Sequence, residues 1–106
     1  MVSLGESDEV LEKKLLKHNW DLKIVDWKLE SEEDGKTSQF YKGCILIRTS
    51  SVPSNAEAYS VLQHEIFHSV QFFMETLKIP LTEHTCEPYA YLIGYITKEI
   101  YKHLLV

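Results

Sequence analysis

A short polar motif in the middle of the chain carries the residues with the clearest chemical role. His64, Glu65 and His68 form the pattern His-Glu-x-x-His. On a helix, histidines at this spacing lie on one face and can bind a single Zn²⁺ ion together. The glutamate beside the first histidine can then take a proton from a zinc-bound water and pass it to a leaving amine. The motif therefore predicts the hydrolysis of a peptide bond.

The residues around the motif have the spacing of an amphipathic helix. A broad apolar arc of the helical wheel contains Leu62, Ile66, Phe67, Val70, Phe73, Met74 and Leu77. The three motif residues fall on the opposite side of the wheel. Val61 and Phe72 flank them and suit the dry walls of a cleft. We expect a helix with a core face and a chemical face; the competing interpretation is a surface helix with two solvated histidines.

A catalytic zinc ion normally has three protein ligands and an open position for water. The downstream carboxyl and imidazole donors are Glu75, Glu83, His84, Glu87, Glu99 and His103. Glu75 is too far from His64, roughly 16 Å along the same helix axis. Glu87 begins a second helical pattern, and Pro88 places it in the first turn of that helix. Cys86 is an alternative donor, although thiolates favour closed structural zinc sites.

The motif and the second helical pattern together resemble the gluzincin class of zinc metallopeptidases. The chain is most similar to the very small members called minigluzincins and to their relatives encoded by phages and other mobile elements. The shared features are His-Glu-x-x-His on one helix, a glutamate 19 residues after the second histidine, and the run Glu87-x-x-Ala90-Tyr91-Leu92 with Gly94. The resemblance covers about half of the chain, over residues 56–101.

This resemblance implies a zinc metalloendopeptidase that acts on a peptide or protein substrate. It implies that His64, His68 and Glu87 bind the zinc ion. It also implies that Glu65 is the general base. Larger gluzincins often have an acidic residue four positions after the ligand glutamate, where this chain has Tyr91. A tyrosine hydroxyl can accept a hydrogen bond from an imidazole but adds no negative charge, so we expect modest metal affinity.

Three further residues are candidates for the surroundings of the ion. Tyr91 and Tyr95 lie towards the Glu87 side of the last helical pattern, where a hydroxyl could stabilise a developing oxyanion. His84 precedes Glu87 by three residues and could serve the same role. The competing interpretation is core packing for the two tyrosines and a solvated loop position for the histidine.

The composition predicts one domain over residues 1–106, with a hydrophobic content of 44% that is ordinary for a globular protein. The net charge of −5 and the absence of a basic cluster argue against nucleic-acid binding. The sequence contains neither signal-peptide features nor an apolar run long enough for a membrane helix. We therefore expect a soluble, cytoplasmic protein in which Cys44 and Cys86 are reduced.

The residue pattern predicts an α+β fold in the order helix, two strands, helix, helix, as in a minimal zincin-like domain. Helices are expected over 7–18, 54–78 and 85–103, with caps at Ser7, at Ser54-Asn55 and at Thr85. Strands are expected over 22–29 and 40–47, joined by a turn at 33–36 into an antiparallel hairpin on the motif helix. The strand over 40–47 is the expected free edge for an extended substrate.

Two functions from other classes stay open. One is a catalytically idle, zinc-stabilised binding or regulatory module of phage or mobile-element origin. Such a module would replace the open position by a fourth protein ligand, such as Cys86 or His84. The other is a metal-free helical interaction protein with an accidental motif. Glu65 favours the peptidase, because a structural zinc site needs no general base.

Overall fold

The computed structural model describes residues 1–104, and it contains three helices and one three-stranded sheet. In chain order the elements are β1 (Val2–Leu4), α1 (Asp8–Lys17), β2 (Gly35–Tyr41), β3 (Cys44–Thr49), α2 (Ala56–Thr76) and α3 (Cys86–Leu104). The predicted α+β class is confirmed, with an N-terminal helix, an antiparallel hairpin, the motif helix and a last helix. No helix among residues 1–104 is long and apolar enough to cross a membrane.

The sheet is mixed, and its strand order is β1-β3-β2. β2 and β3 form an antiparallel hairpin whose two connecting residues are Lys42 and Gly43. Gly43 has a φ of +78°, which a glycine adopts without strain. β1 pairs with β3 in parallel, and the main-chain N–H of Ile47 donates to the carbonyl of Met1 at 2.9 Å. β3 is therefore the central strand, and β2 is an edge strand.

The strand boundaries differ from those predicted. The expected strand over 22–29 was wrong, because this segment is irregular and its apolar side chains pack without pairing of the backbone. Gly35 and Lys36 begin β2 instead of forming a turn. The expected strand over 40–47 spans the actual hairpin turn, and its second half lies in the central strand, so it is not a free edge.

Alternating side chains of the hairpin divide the core into two layers. Phe40 and Leu46 pack with Leu11, Leu15 and Trp27 under α1. The neighbouring strand residue Ile47 points to the opposite face and packs with Leu62, Ile66 and Ile100 of the two long helices. A third cluster of Val70, Met74 and Tyr89 joins α2 to α3. The sheet thus has α1 on one face and α2 with α3 on the other.

A buried arginine fixes the irregular segment that lies against α1. The Arg48 guanidinium is 2.6 Å from the carboxylate of Asp8, and it donates hydrogen bonds to the main-chain carbonyls of Glu6 and Trp27. It also lies 5.7 Å from the centre of the Trp27 ring. These contacts pair most of the hydrogen-bond donors of the guanidinium, whose charge would destabilise the core if it were buried alone.

Side-chain caps define the beginnings of the first two helices as predicted. The Ser7 hydroxyl accepts a hydrogen bond from the N–H of Val10 at 3.3 Å, and the Asn55 side chain accepts one from Ala58 at 2.8 Å. The motif helix α2 ends at Thr76, shortly before Lys78, which has a φ of +59°. The predicted helices over 7–18, 54–78 and 85–103 therefore agree with α1, α2 and α3 to within two residues.

The buried face of α2 differs from the predicted apolar arc. Leu62, Ile66, Val70 and Met74 are buried as expected. Phe67 and Phe73, however, are 37% and 38% exposed. Glu65 and Ser69 take their places in the buried face, so this face is rotated towards the motif glutamate. On the sheet, the hydroxyl of Thr37 contacts that carboxylate.

Candidate functional site

The two motif histidines converge on the accessible side of α2. Their Nε2 atoms are 3.0 Å apart, and their ring planes cross at 75°. Two nitrogens that both bind one zinc ion at tetrahedral angles lie about 3.3 Å apart. His64 is exposed, and His68 is half-buried. The two nitrogens therefore lie within about 0.3 Å of the separation expected for a shared zinc ion, on a side of the helix that solvent reaches.

Gln71 orients the second histidine. The Nδ1 atom of His68 is 3.3 Å from the side-chain oxygen of Gln71, one turn later on the same helix. Because an amide oxygen can only accept, this contact favours the tautomer with the proton on Nδ1. The Nε2 lone pair of His68 is then available to a metal ion. In the absence of a metal it can accept a hydrogen bond from Nε2–H of His64.

The motif glutamate lies between α2 and the sheet. Glu65 is 7% exposed. The hydroxyl of Thr37, from the middle of β2, lies 2.7 Å from its Oε1 atom and 3.0 Å from its main-chain carbonyl. A single hydroxyl proton serves these two acceptors, so Thr37 ties both the carboxylate and the backbone of the motif to the sheet. This contact compensates for the burial of the carboxylate.

A glycine on the same strand makes room for this carboxylate. A Cβ atom at Gly35 would lie 3.0 Å from Cγ of Glu65, 3.0 Å from Cγ1 of Val61 and 3.1 Å from Oε2 of Glu65. These distances are too short for an unperturbed contact, so the missing side chain allows the close approach. Gly35 and Thr37 are two residues apart on a strand and face the same side of the sheet. Together they form the seat of Glu65.

An open hollow connects the carboxylate with the first histidine. Its lining includes Asp34, Gly35, Val61, His64 and Glu65. A neighbouring hollow shares Asp34 and Val61 and extends towards the beginning of α2. Both hollows lie along the N-terminal half of α2, and we refer to them together as the groove. A substrate in this groove would reach both the glutamate and a histidine.

The predicted third ligand lies in different surroundings. Glu87 is exposed in the first turn of α3, and it lines a separate hollow with Ala90, Tyr91, Gly94, Tyr95 and Lys98. Within residues 1–104, no three side chains among His, Cys, Asp and Glu are grouped closely enough to hold a metal ion. The structure therefore brings His64 and His68 together without Glu87.

The other candidates for the site also lie at the surface. Tyr91 and Tyr95 are 76% and 59% exposed, in the hollow that Glu87 lines. His84 is exposed, with its Nε2 atom 3.5 Å from the carboxylate of Glu83. The thiol of Cys86 is exposed and donates to the main-chain carbonyl of Glu83 at 3.4 Å. Neither His84 nor Cys86 completes a three-donor group with the motif histidines.

Comparison with known proteins finds no relative of this chain. No family model matches it, and no curated protein or solved structure is significantly similar to it. The similarity to gluzincins therefore consists of the motif and the run from Glu87 to Gly94.

Proposed function

We propose that the chain is a zinc-dependent metallopeptidase in which His64 and His68 hold the ion and Glu65 is the general base. The observation that carries this proposal is the 3.0 Å approach of the two Nε2 atoms on a helix whose buried Glu65 lines one hollow together with His64. The proposed substrate is a peptide or protein. The proposed setting is the cytoplasm, where the free thiols of Cys44 and Cys86 stay reduced.

The motif residues and the side chains that contact them have separate roles in the proposed hydrolysis. When bound, zinc polarises the scissile carbonyl and makes water a nucleophile at neutral pH. Glu65 takes a proton from that nucleophile and gives it to the leaving amine. Thr37 holds Oε1 of the carboxylate, which leaves Oε2 on the Gly35 side for the proton. Gln71 holds His68 in the tautomer that presents Nε2.

The proposal uses two protein ligands, whereas a catalytic zinc normally has three. Glu87 is the third ligand that the resemblance implies, and it lies exposed and outside any three-donor group of residues 1–104. The proposed activity does not depend on it. With two imidazole donors alone, we expect weaker zinc binding than in sites with three protein ligands.

The same arrangement of donors favours a second candidate, a catalytically idle binding or regulatory module. A site with two histidines can bind a metal ion weakly without activating a nucleophile well. In such a module, the seat of Glu65 would serve stability alone. The two candidates differ in turnover and not in fold, so they can be separated by activity.

The test combines metal analysis with cleavage of a peptide library. Protein purified without added zinc is titrated with zinc, and wild type is compared with Glu65→Gln and His64→Ala. We expect wild type to bind zinc and cleave, Glu65→Gln to bind zinc without cleaving, and His64→Ala to lose zinc. Circular dichroism shows whether each variant is folded.

Each alternative result has a definite meaning. Zinc binding without cleavage by wild type supports the idle module. Absence of zinc binding by folded wild type contradicts both candidates and leaves a metal-free protein. Equal cleavage by wild type and Glu65→Gln contradicts the assignment of the base.

A further inference from the structure

One face of α3 has no partner within the described part of the chain. The buried and half-buried residues of this helix pack against α2 and the sheet, among them Tyr89, Ile93 and Ile100. The opposite side presents a second set that lines one hollow: Glu87, Ala90, Tyr91, Gly94, Tyr95 and Lys98. We refer to these six residues as the α3 outer face. Two largely exposed tyrosines on it stand beside two small residues, which leaves a stepped surface in solvent.

Gly94 indicates that this surface receives a group from outside the monomer. A Cβ atom built at Gly94 would meet nothing within 4 Å. A glycine inside a helix destabilises it relative to alanine, because it loses more backbone entropy on folding. Packing within the described chain does not require position 94 to lack a side chain. A bulky side chain from another molecule, packed against this position, would require a glycine there.

The spacing of the α3 outer face is that of a helix-pairing stripe. Glu87, Tyr91, Gly94 and Lys98 follow one another at intervals of four, three and four residues. These are the intervals of the contact positions in a two-helix coiled coil. The order along the stripe is acidic, large, small and basic. When two copies of the stripe run in opposite directions, each acidic residue faces a basic one and each large residue faces a small one.

We propose that the α3 outer face binds a second copy of this chain, with the two α3 helices antiparallel across a two-fold axis. Glu87 then lies opposite the partner's Lys98, and Tyr91 lies opposite the partner's Gly94. Each large side chain meets a small one, and each acidic side chain meets a basic one. The interface is isologous, as expected for a symmetric dimer.

The antiparallel arrangement is the one that the charges favour. In a parallel pair, Glu87 would meet the partner's Glu87 and Tyr91 would meet the partner's Tyr91. Like charges in contact disfavour that register, and no small residue would receive either tyrosine. Lys98 already lies on this face, with its Nζ atom 5.9 Å from the Tyr95 ring centre. The ammonium is therefore positioned beside one tyrosine of the α3 outer face.

The size of the stripe sets the expected strength of the dimer. A contact of three helical turns is small beside the surface that stable protein complexes bury, so the dimer should dissociate on dilution. The Glu87–Lys98 pairs lie at the rim, and salt should weaken them. The proposal does not depend on peptidase activity. It gives Glu87 a charged partner from the other copy.

The test is a charge exchange measured by sedimentation equilibrium of the whole chain over a wide concentration range. Glu87→Lys and Lys98→Glu should each be monomeric at concentrations where wild type is dimeric. An equimolar mixture of these two variants should dimerise, because each positive position then meets a negative one. The double variant Glu87→Lys/Lys98→Glu should also dimerise. Lowering the salt should strengthen the wild-type dimer.

Matched controls separate this contact from general effects of charge. Glu9→Lys and Lys13→Glu make the same charge changes on the exposed surface of α1 and should leave the dimer intact. Gly94→Gln places a side chain in the hollow and should abolish the dimer while the monomer keeps its circular dichroism spectrum.

Three results would overturn the proposal. The first is a wild-type chain that stays monomeric at every concentration, which leaves this face to another partner or to none. The second is a dimer that both single charge variants retain, since it must use another surface. The third is a mixture of the two single variants that does not associate although wild type does.

Discussion

The hydroxyl of Thr37 is 2.7 Å from Oε1 of Glu65, and this hydrogen bond joins the middle of an edge strand to the motif helix. The two residues are 28 positions apart in the chain. The same hydroxyl lies 3.0 Å from the main-chain carbonyl of Glu65. These two contacts fix the carboxylate and the backbone of Glu65 relative to the sheet. Thr37 is therefore a positioning residue for the proposed general base.

Thr37→Val keeps the shape of the side chain and removes its hydrogen bond. We expect a loss of about 1–3 kcal/mol in the free energy of unfolding at neutral pH, because the carboxylate stays buried with one partner fewer. The rate of peptide cleavage should also fall while zinc affinity stays unchanged, because the carboxylate loses the contact that holds Oε1. Thermal melts, kcat/KM for a cleaved peptide and a zinc titration measure these effects. Thr37→Ser should restore stability and cleavage, and an unchanged kcat/KM in Thr37→Val would show that Thr37 does not position Glu65.

Gly35→Ala tests the seat of Glu65 from the other side. The added methyl group would lie 3.0 Å from Cγ of Glu65 and 3.0 Å from Cγ1 of Val61. We expect a destabilisation of about 1–3 kcal/mol, as for other overpacked sites, together with a loss of cleavage as the carboxylate moves. Differential scanning calorimetry and peptide cleavage provide the two measurements.

The matched control is Gly94→Ala, where an added Cβ meets nothing within 4 Å. At concentrations where the chain is monomeric, we expect a gain of about 0.5–1 kcal/mol in the free energy of unfolding there, because alanine favours the helix. If Gly35→Ala behaved like this control, then close packing against Glu65 would not be the reason for glycine at position 35.

Local signals explain why parts of the fold could be predicted from the sequence. The caps at Ser7 and Asn55 and the helical spacing from Leu62 to Met74 are patterns within a few residues, and they determine where α1 and α2 begin. Apolar alternation was misleading over 22–29, because Trp27 packs in the core while its backbone stays outside the sheet. Short-range patterns describe the burial of side chains better than the pairing of strands.

The seat of Glu65 could not be predicted, because it depends on contacts that have no local spacing. Asp34-Gly35 is a common turn pattern, yet the glycine is needed where β2 approaches α2. Thr37 lies between the predicted turn over 33–36 and the predicted strand over 40–47, and only the packing of β2 against the motif helix gives its hydroxyl a role. Gln71 is the exception, since its position three residues after His68 on one helix could have indicated the contact.

Gln71→Met tests whether the amide oxygen orients His68. Methionine has a similar length and cannot accept the Nδ1 proton strongly, so the imidazole should lose its fixed tautomer. We expect zinc affinity to fall roughly 10–100-fold, as for other residues that support a metal ligand indirectly. Competition with a chromophoric chelator at constant pH measures the affinity. Gln71→Glu supplies a charged acceptor and should bind zinc at least as tightly as wild type. Equal affinity of wild type and Gln71→Met would remove Gln71 from the site.

Glu87→Gln decides between two roles for one carboxylate. The resemblance to gluzincins assigns it to the metal ion, whereas its exposure and its place on the α3 outer face favour a contact between two chains. We expect zinc affinity to stay within about twofold of wild type, since no third donor is grouped with His64 and His68 in residues 1–104. The dimer should weaken in sedimentation equilibrium, because the glutamine carries no charge opposite the partner's Lys98. A fall in zinc affinity of about 100-fold, with an unchanged dimer, would instead make Glu87 a ligand.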